Sequence, residues 1–227
     1  MSRIHSTLLQ AIGYEFRDST LLESALTHPS TEGDVVNYQR LEFLGDSVLG
    51  MLVADFLYHM HPDKPEGALD RMRAGLVNGS ALAAKARELG LDRGLIVSDA
   101  QKEHLPEPSD AMLEDAFEAL VAAIYLDGGI DSVRSWVRHQ LQAEIEQAEQ
   151  VSDRANPKGR LQEWSQREHA GLTPEYVLTA EEGPDHAKSY TVTVFIGDQK
   201  LASGSGSSKK AAETSAAEAT LEQLLDR

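Results

Sequence analysis

The chain contains no cysteine, which excludes disulfides and thiolate metal sites and makes cytosolic residence the plain expectation. Long apolar runs are missing as well: no stretch approaches the roughly 20 residues that a membrane span needs, so no membrane partner is expected. The start, MSRIHSTLLQAIGYEF, lacks a basic segment followed by an apolar one, so no secretory signal is expected either. In that setting the Asn78-Gly79-Ser80 triplet, which spells a glycosylation sequon, carries no weight. Positive charge is scarce too, with 21 Lys and Arg against 37 Asp and Glu and a formal net charge of −16. Taken as a sum, that argues against a polyanionic partner, whose binding usually shows as a basic patch.

The distribution of charge changes the argument. Up to residue 150 there are 12 basic and 25 acidic residues, net −13, whereas from 151 onward there are 9 and 12, net −3. Either the first part faces no nucleic acid, or its carboxylates hold cations that reverse the local sign. With 227 residues, 41% of them hydrophobic, the chain can bury a core of ordinary size and a second, smaller one.

Apolar residues recur with a period near 3.6 as far as residue 149. STLLQAI, STLLESALTH, RLEFLGDSVLGMLVADFLYHM, GALDRMRAGLVNGSALAAKARELG, DAMLEDAFEALVAAIYLDGG and DSVRSWVRHQLQAEIEQAE each read as helix, several with a capping residue before and Gly after. Residues 1–149 therefore predict an all-helical domain. The stretch 150–158 collects Ser, Asp, Asn and Pro and reads as a linker. Residues 159–227 follow a different grammar: a short helix at GRLQEWSQREH, three alternating segments PEYVLTAEE, SYTVTVFIG and KLASGSG, and a closing helix SKKAAETSAAEATLEQLL, an α-β-β-β-α order.

Within the third helix, Glu42 and Asp46 are one turn apart, about 40° by helical angle, beside Leu49 and Val53. Such an acid pair destabilises an isolated helix and ordinarily marks a solvated face; the apolar neighbours weigh against that reading. In DAMLEDAFEALVAAIYL, Asp115 and Glu118 share a stripe with Ala111, Ala119 and Ala122, while Leu113, Phe117, Leu120 and Ile124 face the other way. Alanines permit a close helix neighbour. If the two helices pack along these faces, four carboxylates meet where they cannot all stay ionised without cations. Oxygen donors without His or Cys favour a hard ion, Mg²⁺ or its substitute Mn²⁺, and suit displacement at phosphorus. In the last part, GSGSSKKAAE leads into a helix whose first turn carries Lys209 and Lys210. Cations there oppose the helix dipole unless an anion joins them; a flexible turn with solvated lysines is the alternative. A phosphate-binding Walker loop is excluded because no Gly-Lys-Ser/Thr is present.

The segments ALTHPS, RLEFLGDSVLG and LEDAFEALVAAIYLDGG resemble the ribonuclease III domain, and NPKGRLQEW, the strands and GSGSSKKAAETSAAEATLEQLL resemble the double-stranded RNA-binding domain that follows it in bacterial members. The resemblance implies a homodimeric, Mg²⁺-dependent endonuclease that cuts double-stranded RNA, leaves 5′-phosphates and short 3′ overhangs, and processes ribosomal RNA precursors and some messenger RNAs. It also implies that Glu42, Asp46, Asp115 and Glu118 are the metal ligands, with Asp46 and Glu118 catalytic. Glu66 matches a further acidic residue near that site, and Phe43 an aromatic that packs across the dimer interface. In the RNA-binding domain the matched contacts are Gln162, Glu163, His186, Lys209 and Lys210. They fit A-form RNA, whose wide minor groove takes hydrogen bonds from Gln and Glu and whose major-groove phosphates take lysines. Two positions depart from the family: Gln39 stands where an acidic residue is frequent, and Gly159 where a Thr is common. A binding module that keeps the nuclease fold only for dimerisation is the competing class.

Overall fold

The structure, a computed structural model, describes residues 3–33, 36–184 and 187–225. It divides into two compact units, 1–149 and 150–227. In the first, helices α1 (Arg3–Ile12), α2 (Ser19–Ala25), α3 (Gln39–Met60), α4 (Glu66–Leu76), α5 (Gly79–Glu88), α6 (Leu91–Gly94), α7 (Asp99–His104) and α8 (Asp110–Gln140) precede α9 (Gln142–Ala155). The second contains α10 (Pro157–Glu168), strands β1 (Glu175–Glu182), β2 (Ser189–Ile196) and β3 (Gln199–Gly206), and α11 (Lys209–Leu225). This is the all-helical domain followed by a small α-β-β-β-α domain that the patterning predicts. No helix among the described residues is long and apolar enough to cross a membrane.

The core of the first unit is built on α3 and α8. Leu49, Leu52, Val53 and Leu57 of α3 are buried with Leu113, Phe117, Leu120 and Ile124 of α8, closed over by Leu8, Ile12, Leu22 and Leu82 from shorter helices. Glycine sets the break in α8, because Gly129 has φ 77° and ψ −177°, a conformation no other residue adopts cheaply. The following segment nonetheless resumes helix, so the two helices read at 110–129 and 131–149 become one kinked helix to Gln140 and a second from Gln142.

Two local expectations are corrected. The single helix over GALDRMRAGLVNGSALAAKARELG is two, because Asn78 takes an extended conformation and its side chain accepts the Ala81 N–H at 3.0 Å, capping α5. The Asn-Gly-Ser triplet is thus a helix start. The stretch 150–158 is helical through Ala155 in α9 and again from Pro157 in α10, with only Asn156 between. Its Ser, Asp and Asn are half-buried and tolerated near a helix end, and Asn156 accepts the Gly159 N–H at 3.2 Å as the cap of α10. The Gly159 position is closed over by that cap: a Cβ there would meet the Asn156 side chain at 2.2 Å.

In the second unit the sheet runs β1-β2-β3, antiparallel throughout. Val192 and Val194 of β2 face Leu161 of α10 and Ala212, Ala216 and Ala217 of α11, an apolar cluster covered on one side of the sheet only. Its other face carries hydroxyls, with Thr193 to Ser203 at 2.8 Å and Thr191 to Ser205 at 3.0 Å.

Candidate active site and RNA-binding elements

The acidic residues meet where α3 crosses α8. At the crossing, Gly45 leaves room for the backbone of α8: a Cβ built on it would stand 1.8 Å from the carbonyl oxygen of Glu118. Glu42, one turn before Gly45, and Asp46, just after it, flank the contact on α3. Glu118 lies at the contact on α8, and Asp115 one turn earlier. The charges act on one another accordingly. Glu118, only 9% exposed, is pushed up to about 8 by burial, then by Asp46, Glu114, Glu42 and Asp115. The Glu42 carboxyl is raised by burial and by Asp115, Glu114 and Asp46, and the Asp115 carboxyl by burial against the opposing pull of Tyr38 and His28. The four residues singled out by helical angle therefore form one electrostatic group.

Asp46 is exposed, Glu42 and Asp115 half-buried, and Glu118 buried, so the group grades from solvent into the core. Among the described residues no three acidic or histidine side chains are already gathered at metal-ligand spacing. The donor set nevertheless fits a hard divalent ion, being carboxylate only and partly desolvated, with Glu42 and Glu118 raised first by burial and then by neighbouring carboxylates whose repulsion a cation would offset. Ala119 and Ala122 are buried against Tyr38 and Leu41 as close-packing alanines would be, but Ala111 is exposed.

Sequence reasoning missed three residues here. Gly45 was legible as an isolated glycine inside an apolar helix, which usually has a packing reason. Glu114 is a fifth carboxylate, raised by burial and by Asp115 and Asp46, its side chain lying against the backbone of Gly79 at the start of α5. Tyr38 is buried and donates its hydroxyl to Asp115 Oδ2 at 3.1 Å, a contact no spacing rule signals.

The structure does not gather Glu66 with the four. It opens α4, is exposed, and lines a groove of about 620 Å³ with Tyr58, Lys64, Leu69 and Arg73. Phe43 projects from α3 and is 78% exposed, and Met51 and Tyr58 on the same helix are exposed as well.

In the second unit Gln162 and Glu163 lie on the exposed side of α10. Lys209 and Lys210 are exposed in the first turn of α11, which Ser208 caps by accepting the Ala211 N–H at 3.1 Å. Much of the Gly/Ser-rich turn is strand, since β3 runs to Gly206, and Gly204 lets α11 lie close, a Cβ there meeting the Ala216 nitrogen at 2.1 Å. His186 lies outside the described residues.

Comparison with known proteins covers both units. The Ribonuclease-III-like family model matches residues 18–145, and the double-stranded RNA binding motif matches 157–224. Ribonuclease 3 of Wolbachia pipientis subsp. Culex pipiens is 40% identical over 232 residues, covering 99% of this chain and 98% of that protein. Ribonuclease 3 of Symbiobacterium thermophilum is 42% identical over 221 residues, with 93% and 91% covered. Among solved structures, the nuclease domain of ribonuclease III from Campylobacter jejuni aligns with a TM-score of 0.59 at 36% identity, over 63% of this chain and 96% of that one. A second structure of that domain, described as flexible in a region involved in dimer formation, aligns at 0.58. With both of its units matched in order and relatives of this identity spanning nearly its full length, the chain belongs to the ribonuclease III family of double-stranded-RNA-specific endoribonucleases.

Proposed function

We propose that the protein is a Mg²⁺-dependent, homodimeric, cytoplasmic endonuclease that cuts double-stranded RNA to products with 5′-phosphates and short 3′ overhangs, and that it processes ribosomal RNA precursors and some messenger RNAs. The observation that carries this reading is Glu118, a buried carboxyl pushed up to about 8 by burial and by four further carboxylates on the facing and same helices. Such a group is costly in a core unless it works there.

Glu42, Asp46, Asp115 and Glu118 would hold Mg²⁺, or Mn²⁺ in its place; when bound, the ion would supply Lewis acidity at the phosphate and a bound water more acidic than bulk water. The chain's own groups do the rest. Asp46, open to solvent at the edge of the group, would meet a phosphodiester arriving from solvent. Glu118, raised by burial and by its neighbouring carboxylates while the site holds no ion, would be ionised with the ion in place and is assigned, with Asp46, the catalytic role. Glu66 is assigned a supporting acidic role from the α4 side.

On α10, Gln162 and Glu163 would reach 2′-hydroxyls and base edges in the minor groove, with His186 reaching the next minor groove and Lys209 and Lys210 holding the phosphates between. The exposure of Phe43, Met51 and Tyr58 along one helix supports a second copy as their cover. The test is direct. Protein incubated with a long RNA duplex and Mg²⁺ should yield short duplexes with 5′-phosphates. Glu118→Gln should bind the duplex as tightly and leave it whole; cleavage by that variant at the wild-type rate under limiting Mg²⁺ would sink the assignment.

A further inference from the structure

Tyr38 precedes α3 and is 2% exposed. Three hydrogen bonds tie it to three different places. Its N–H donates to the Thr27 carbonyl at 3.0 Å, its carbonyl accepts the Glu42 N–H at 2.8 Å, and its hydroxyl donates to Asp115 Oδ2 at 3.1 Å. Its ring meets His28 edge-on, centroids 5.5 Å apart at 80°. His28 is itself held at both ends, its backbone N–H donating to the Ile96 carbonyl at 2.8 Å and its Nδ1 accepting the Ser30 N–H at 2.9 Å. The phenol therefore has little freedom to turn away from Asp115.

A phenylalanine would fill the same space, so packing alone does not call for the hydroxyl; what the hydroxyl adds is a fixed donor to one carboxylate oxygen. We propose that Tyr38 is a positioning residue for Asp115: by holding Oδ2 it sets the carboxylate's rotation and leaves Oδ1 for a divalent ion, while its backbone carbonyl holds the first turn of α3 that carries Glu42. One buried residue, through its backbone and its side chain, thereby registers ligands from α3 and α8 against each other, the side-chain bond acting as outer partners of metal ligands commonly do. The inference rests on Asp115 being a metal ligand, as proposed above.

The test uses full-length Tyr38→Phe, Asp115→Asn and the double variant, with Mn²⁺ binding followed by electron paramagnetic resonance in the absence of RNA. Tyr38→Phe should weaken Mn²⁺ binding about tenfold and raise the Mg²⁺ needed for half-maximal cleavage by a similar factor, with KM for RNA unchanged. In the Asp115→Asn background the same substitution should add nothing. His28→Phe, which keeps a ring at the edge-on contact, should bind Mn²⁺ like the wild type. If Tyr38→Phe bound Mn²⁺ normally while Asp115→Asn did not, the positioning role would be wrong and the proposed function would stand. An equal loss from Tyr38→Phe in both backgrounds would overturn the role too, marking a general loosening of the fold. If Asp115→Asn itself left Mn²⁺ binding intact, the metal site as assigned would fall, and this inference with it.

Discussion

Gly45 and Glu118 touch backbone to backbone. The hydrogen of Gly45 occupies a place where a methyl group would come 1.8 Å from the Glu118 carbonyl oxygen and 2.5 Å from its carbon, well inside any tolerable contact. Because Glu42 and Asp46 bracket that glycine and Asp115 is one turn from Glu118, the same approach that packs the core also assembles the acidic group.

Gly45→Ala should therefore force α3 and α8 apart. The expected loss is about 3 kcal/mol of stability, the upper range for overpacking a core, with cleavage falling further than stability alone explains because the carboxylates separate. Gly75→Ala is the control, since a Cβ at Gly75 meets nothing within 4 Å and its helix should gain a few tenths of a kcal/mol. Chemical denaturation of both variants checks this; equal stabilities would mean that the helices slide apart without cost.

If Glu118 is an ion ligand, ion binding should release a proton from it. Its folded value near 8 exceeds the ordinary 4.5, so between those limits the folded protein keeps a proton that the unfolded chain gives up, and stability in chelator falls as pH rises through that window. Bound Mg²⁺ favours the ionised carboxyl. Titration calorimetry at pH 7 in buffers of different ionisation enthalpy should show release of about one proton per ion, absent in Glu118→Gln. A binding heat independent of the buffer would contradict the assignment of Glu118 as ligand.

Removing residues 150–227 separates the two sources of RNA affinity. The first unit is strongly acidic and would hold RNA largely through cations, whereas the second would offer the exposed Lys209 and Lys210 directly to phosphate. The truncated protein should bind a duplex weakly at physiological salt and recover much of the loss at low salt and raised Mg²⁺. Undiminished binding in a filter assay at physiological salt would show that the lysines are not the anchors.

The parts legible in the sequence were those set by periodicity. Leu49, Val53, Leu113 and Phe117 recur at helical spacing, and Val192 and Val194 alternate, so the two units and the sides carrying Glu42, Asp46, Asp115 and Glu118 followed from side-chain angles. What stayed hidden depends on contacts distant in the chain. Tyr38 and Asp115 are 77 residues apart, and no local pattern pairs a tyrosine before one helix with a carboxylate on another. Helix ends were hidden for a different reason: Asn78 and Asn156 cap by side-chain hydrogen bonds that compete with loop readings of the same polar residues.

Gln39 is one of the two positions where the resemblance leads to another residue being expected, here an acidic one, and it tests whether that charge is needed for cleavage. It is the first residue of α3 and exposed, its N–H donating to Asn37 Oδ1 at 3.2 Å. By helical angle it lies about 60° from Glu42 and 20° from Asp46, on the same side as both. An amide there can hydrogen-bond a carboxylate or a bound water but adds no charge. Glu118 is already raised by burial and then by four neighbouring carboxylates, so the group has negative charge to spare without a further one at position 39. Cleavage should therefore persist in the wild type, and Gln39→Glu should change the Mg²⁺ requirement only modestly while leaving the positions of the cuts unchanged. Mapping the 5′ ends of products from one duplex with both proteins over a Mg²⁺ series tests this. A wild-type chain inert on duplex RNA, with activity appearing only in Gln39→Glu, would place it among the binders.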